Sequence, residues 1–128
     1  MSLDNEDEEL TKPLVTFALL TDIQYADCDD GHNFDKSRNR YYRNSINLVR
    51  EAVKNWQKSE QPVKFLLQLG DIIDAKSREL NKSDEALELV LAELNRLFSG
   101  QDPTKLLLHI WGNHEFCYFK RSELLNSR

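Results

Sequence analysis

Three short apolar runs, "LVTFALLT" at 14–21, "VKFLLQLGD" at 63–71 and "KLLLHIWGNHE" at 105–115, are separated by longer stretches with helical periodicity. That alternation constrains the fold more than any other feature of the chain. The runs are short and rich in strand formers, and the first is nearly continuously apolar, the pattern of a strand buried on both faces. Between the first two, Tyr42, Ile46, Val49, Val53 and Trp56 recur at steps of four and three, which places them on one face of a helix. Ser37 or Asn39 is a candidate cap for it. Between the second and third, "SDEALELVLAELNRLFSG" has Ser83 as candidate N-cap, Asp84 and Glu85 where a helix dipole favours anions, and Gly100 as candidate C′. Its buried face is predicted at Leu87, Val90, Leu91, Leu94 and Leu97. The order strand, helix, strand, helix, strand predicts an α/β fold with parallel strands whose three C-terminal ends lie along one edge, where open α/β sheets bind ligands.

Each run ends in polar residues of a particular kind. Asp22 and Gln24 follow the first, Gly70, Asp71 and Asp74 the second, and Gly112, Asn113, His114 and Glu115 the third. Taken one at a time, Asp and Asn at strand ends are ordinary turn formers. All three in sheet order ask for a second explanation. Two divalent cations about 3.5–4 Å apart can clamp the attacking and leaving oxygens of a phosphoryl displacement, and they require oxygen and nitrogen ligands with an anion shared between them. Asp71, in the middle position and after a glycine, suits the shared role. Asp22 and Gln24, two apart on an extended segment, point to the same side of it. Asn113 offers a neutral carbonyl oxygen.

Asp-Ile-Gln at 22–24, Gly-Asp-Ile-Ile-Asp at 70–74 and Gly-Asn-His-Glu at 112–115 resemble the first three signatures of the calcineurin-like metallophosphoesterases. The Gln of the first motif, "LQLGDIID", "WGNHEF" and the loop "YADCDDGHNF" followed by "RYYRNS" are most similar to the manganese-dependent ADP-ribose/CDP-alcohol diphosphatase branch of that family. The resemblance runs from about Thr16 to the C-terminus. It implies the N-terminal part of a β-sandwich flanked by helices, with residues 13–128 forming an incomplete portion of the domain. It also implies Asp22 and Gln24 as ligands of a first metal, Asp71 as the bridging carboxylate and Asn113 as a ligand of the second. His114 would contact the phosphate and assist the leaving group, and Asp74 would pair with His114 and orient it. The reaction implied is attack of a metal-bound hydroxide on the diphosphate of ADP-ribose or a CDP-alcohol, giving a nucleoside monophosphate and a phosphorylated sugar or alcohol. The substrates are thus small nucleoside diphosphate derivatives. Mn²⁺ is the implied cofactor, with Mg²⁺ as an alternative, and Gln24 in place of the family's usual His makes the site richer in oxygen, which suits such hard ions. Members of the family continue into a second half with further metal-binding histidines, so the expectation for this chain alone is inactivity. The alternative readings are a truncated, non-catalytic form and another metallophosphoesterase, such as a phosphodiesterase.

The remaining features narrow the class. A chain of 128 residues, 40% hydrophobic and 30% charged, has the size and balance of one packed domain. A net charge of −5 lacks the basic footprint of a general nucleic-acid binder. The acidic start, residues 1–12, reads as a solvated tail without the apolar core of a secretory signal. No run approaches the ~20 apolar residues of a membrane span, so a cytoplasmic protein without membrane contact, and a monomer, is expected. Cys28 and Cys117 lie outside any CxxC and are read as free thiols. The basic residues Lys36, Arg38, Arg40 and Arg43 are read first as a solvated helix face, and second as a means of steering a diphosphate. Phe34, ahead of Tyr25 and Tyr41, is the candidate for stacking on a nucleobase. His32 and His109 fall outside the motifs and are read as surface and core residues. No GxxxxGK[ST] and no GxGxxG occurs, which removes P-loop and Rossmann enzymes.

Overall fold

The computed structural model describes residues 13–101 and 106–126. The predicted tail, residues 1–12, lies outside them. Strand β1 (Thr16–Leu20) is followed by a small antiparallel hairpin, β2 (Gly31–His32) and β3 (Asn39–Arg40), and then by helix α1 (Asn44–Gln57). Strand β4 (Val63–Gln68), short helix α2 (Ala75–Glu79), helix α3 (Ser83–Asn95) with a 3₁₀ turn (Arg96–Phe98), and strand β5 (Leu107–His109) come next. Helices α4 (Asn113–Tyr118) and α5 (Arg121–Asn126) end the described chain. The strands form a parallel sheet in the order β1-β4-β5, so their C-terminal ends share one edge, as the alternating pattern predicts.

The core lies on one side of this sheet. Ala18 and Leu66 from the strands meet Ile46, Val49 and Val53 of α1 and Leu87, Val90 and Leu94 of α3, with Phe98 closing the end. These are the helix faces the three-and-four spacing selects. Arg50 of α1 reaches Glu93 of α3 at 2.8 Å, and Arg96 reaches the same carboxylate at 2.9 Å, which pins the two helices together. Gly100 has φ of +83°, the left-handed end expected of it.

Four local expectations are corrected. The strands are covered on one face only: Phe17, Leu19 and Leu108 remain about half exposed, with Phe17 stacked on Phe65 at 5.2 Å. A nearly continuous apolar run signals two faces that avoid water, and the described residues supply a cover for just one. Ser37 and Asn39 do not cap α1; they belong to the β2–β3 hairpin, and α1 starts after Arg43 with no side-chain cap. Ser83 is the first residue of α3 rather than its cap, which is Lys82. Lys36, Arg38 and Arg40 sit on that hairpin and not on a helix, because two residue pairs, Gly31 with Arg40 and His32 with Asn39, zip the loop before α1 begins.

Candidate metal centre

The parallel pairing of β1 and β4 is interrupted at its C-terminal end and then resumes. Leu20 lies opposite Gln68, and Tyr25 lies opposite Ile73, so the register is the same on both sides of the gap. Between those pairs both chains bulge together. Asp22 and Gln24 take φ of 54° and 48°, and Gly70 and Asp71 take 97° and 54°. The left-handed region costs a non-glycine L-residue about 1–2 kcal/mol, and Asp and Asn are among the few that visit it. Strain of this kind persists where the surroundings impose it, and it collects at functional sites. Here cross-strand bonds impose it: Asp22 N donates to Gly70 O at 3.2 Å, Gln24 N to Asp71 O at 3.0 Å, and Asp74 N to Tyr25 O at 2.8 Å. The expectation of an extended Asp22-to-Gln24 segment is corrected accordingly. The two side chains still meet, with Gln24 Nε2 donating to Asp22 Oδ1 at 3.4 Å, and both line a cleft of about 160 Å³ with Arg40 and Tyr42.

The third motif closes on the second. Gly112 packs so tightly on Asp71 that a Cβ there would overlap the Asp71 carboxylate, and a Cβ on Gly70 would lie 2.6 Å from Gly112 N. His114 N donates to Asp71 Oδ1 at 3.0 Å. Asn113 opens α4 with its side chain exposed. The imidazole of His114 stands edge-on to Tyr118, and its Nδ1 is buried without a hydrogen-bond partner.

The pairing of Asp74 with His114 that the resemblance implies is not formed. Asp74 Oδ2 takes a salt bridge from Arg40 at 3.0 Å and Oδ1 accepts from Lys76 N at 3.0 Å, capping α2. A guanidinium, always charged, is a stronger partner for a nearly fully buried carboxylate than an imidazole. The same Arg40 nitrogen donates to Gln24 Oε1 at 2.9 Å, so Arg40 ties the first motif to the second. Phe34 is fully exposed on the hairpin turn, outside the cleft lined by Asp22 and Gln24. His32 is exposed on β2, while His109, packed at a tilt against Trp111, has its pKa lowered by burial.

Two residues that the motif reading left without a role prove to be central. Arg40 appeared only as one of several cations. Glu115 was named with its motif, yet it is fully buried and accepts four main-chain hydrogen bonds. Position three in α4 was the available signal, since a Glu there reaches back to the N-cap N–H, as Glu115 does to Gly112 at 2.8 Å.

A charge cluster anchors the loop behind the first motif. Lys82 Nζ and Arg43 Nε each hold Asp27 at 2.7 Å, and those hydrogen bonds, Lys82 first, lower its pKa from 3.8 to about 2. A carboxyl group depressed in the folded state stabilises above its unfolded pKa and loses that contribution as pH falls through the folded value. The acid-unfolding curves of the parent and Asp27→Asn should therefore differ above about pH 4, the parent being more stable, and converge toward pH 2. Circular dichroism across that range reads it, and a gap that widens on acidification would contradict the assignment.

The candidate donors at this sheet edge are oxygens: the carboxylates of Asp22 and Asp71, the exposed amide of Asn113, and the carbonyl of Gln24, which accepts from Arg40. That chemistry fits a hard divalent cation. Among the described residues no three of His, Cys, Asp and Glu cluster closely enough to hold an ion unaided. No helix among the described residues is long and apolar enough to cross a membrane.

The profile of the family described as calcineurin-like phosphoesterase matches residues 15–127. The manganese-dependent ADP-ribose/CDP-alcohol diphosphatase of Danio rerio is 46% identical over 116 residues, 91% of this chain and 34% of that protein. Its Homo sapiens counterpart is 40% identical over 115 residues, 90% of this chain and 32% of that protein. A crystal structure of a dimetal phosphatase from Danio rerio superposes with a TM-score of 0.80 at 45% identity, covering 91% of this chain and 35% of the other. The chain spans about a third of the length of the curated relatives it matches. By the profile match, the shared parallel sheet and the three motifs at its edge, the chain belongs to the calcineurin-like phosphoesterase family.

Proposed function

We propose that this chain carries the N-terminal part of the active site of a metal-dependent diphosphatase that cleaves ADP-ribose and CDP-alcohols. The observation that carries the reading is the paired left-handed bulge, which sets Asp22 and Gln24 against Asp71 at the sheet edge, in a chain similar to diphosphatases named for that reaction. Asp22, Gln24, Asp71 and Asn113 would hold the divalent cations, Mn²⁺ by analogy with the relatives' names and Mg²⁺ as an alternative. When bound, such cations supply Lewis acidity that offsets charge developing on the phosphoryl oxygens.

The chain's own residues do the rest. Asp71 would serve both ions, its carboxylate fixed by His114 N. His114 would contact the phosphate and assist the leaving group, a role that rests on the resemblance of the third motif. Asp74 acts by holding Arg40 against Gln24, which fixes the amide with its oxygen on the Arg40 side. Phe34, being exposed, is available to a nucleobase only as a lip outside the cleft.

The test is a substrate panel with Mn²⁺, run on a form that spans the full length of the relatives: ADP-ribose, a CDP-alcohol and a simple phosphodiester. Release of AMP from ADP-ribose and CMP from the CDP-alcohol is the expected result. Cleavage of the phosphodiester alone would move the assignment to the phosphodiesterases, and no metal-dependent cleavage of any of them would remove the enzymatic reading.

A further inference from the structure

Glu115 is the most deeply buried charged side chain among the described residues, with 0% exposure. Its partners are main-chain N–H groups. Oε2 accepts from Asp71 N at 2.9 Å and Gly112 N at 2.8 Å, and Oε1 accepts from Ile72 N at 2.6 Å and Ile73 N at 3.2 Å. Each oxygen takes two donors and gives none, the pattern an ionised carboxylate provides.

Three consecutive N–H groups do not converge in a strand, where successive ones alternate between the two neighbours. They converge here because Gly70 and Asp71 are both left-handed, which turns the 71–73 backbone into a concave nest of donors of the kind that binds anions. Buried N–H groups must find acceptors, and Glu115 is the acceptor for three of them. The left-handed conformation of Asp71 and the presence of Glu115 therefore depend on each other. Oε2 also holds Gly112, on the other loop, beside Asp71. The approach that lays Gly112 on the Asp71 carboxylate and brings His114 N to Oδ1 is set by one oxygen atom.

We propose that Glu115 is the positioning residue of this site: a resident anion that holds Asp71 left-handed and locks the second and third motifs together, so that Asp71 and Asn113 keep a fixed separation. Its part in metal binding rests on Asp71 being a ligand; its part in locking the loops does not. Glu115 touches neither ion nor substrate. A purely space-filling role would ask only for its volume, whereas an anion role asks for acceptors on both oxygens.

Two substitutions separate these roles. Glu115→Gln keeps the volume but turns an NH₂ group toward two N–H donors. Glu115→Ala leaves four donors around a void that formate matches in charge and is small enough to enter. In the 128-residue chain, Glu115→Gln should keep the parent's far-UV circular dichroism. Amide exchange at Asp71, Ile72, Ile73 and Gly112 should nevertheless accelerate by ~10–100-fold relative to Leu66 and Val90, the scale of unsatisfied buried donors. Its Mn²⁺ affinity, read by electron paramagnetic resonance of free Mn²⁺, should fall ~10–100-fold, as for groups that orient metal ligands. In Glu115→Ala, formate but not chloride should restore protection at the same four amides. Parent-like exchange at those amides in Glu115→Gln would overturn the proposal, as would a folded Glu115→Ala on which formate has no effect; if the alanine variant does not fold, the glutamine variant decides. Failure of the parent itself to bind Mn²⁺ would refute the metal reading, and the four amides would still decide the role of Glu115.

Discussion

Gly112→Ala is expected to damage the site severely, because its new Cβ has no room beside Asp71. The backbone at Gly112 has φ of −85°, which alanine adopts freely, so the cost is steric and not torsional. The new Cβ would overlap the carboxylate and main-chain nitrogen of Asp71, and Asp71 cannot yield because its backbone is bonded to Gln24 and Glu115. Overpacking of this kind costs about 1–3 kcal/mol of stability and, where it is relieved, moves the third motif off the second. A displacement near 1 Å in a catalytic constellation can cost ~10²-fold in rate, so loss of stability should come with loss of Mn²⁺ binding. Gly100→Ala is the control. Its φ of +83° strains an alanine, but nothing lies within 4 Å of the added Cβ. It should cost about 1–2 kcal/mol and leave Mn²⁺ binding as in the parent. Urea unfolding and a Mn²⁺ titration on both variants check this, and equal metal binding by the two would show that the close approach of Gly112 does not matter.

Asp71→Asn should separate charge from architecture. The asparagine Oδ1 can still accept from His114 N, so the fold and the loop packing should survive with little change in the unfolding midpoint. What is lost is one of the two carboxylates proposed to hold the cations. In a form that spans the full length of the relatives, metal-dependent diphosphate hydrolysis should fall by ~10²–10³-fold or more, the scale on which a single electrostatic element of a transition state acts. A stable variant with undiminished metal-dependent turnover would place the shared anion elsewhere. An unstable one would instead assign Asp71 to the fold.

Much of this architecture was legible in advance, for identifiable reasons. The strand and helix order follows from apolar runs and from the Ile46, Val49 and Val53 spacing, because side-chain periodicity is a local property of the chain. The site's place at the sheet edge follows from parallel topology, and its candidate ligands from motifs at three strand ends. The caps of α1 were misread because nothing local distinguishes Ser37 and Asn39 as cap residues from the same residues in a hairpin. The exposed second face of the sheet was misread because apolar sequence reports a demand for burial and not what satisfies it.

The sequence by itself determined which residues are candidates for chemistry and which elements carry them, since both are written in residue type and spacing. Only the tertiary structure decided their partners. Asp74 binds Arg40, 34 positions away in the chain, and not His114. Glu115 holds the backbone of Asp71, 44 positions away. Both choices depend on how a left-handed bulge turns its N–H groups and on which charges burial brings within 3 Å. Those are properties of two segments in contact, and neither segment carries them alone.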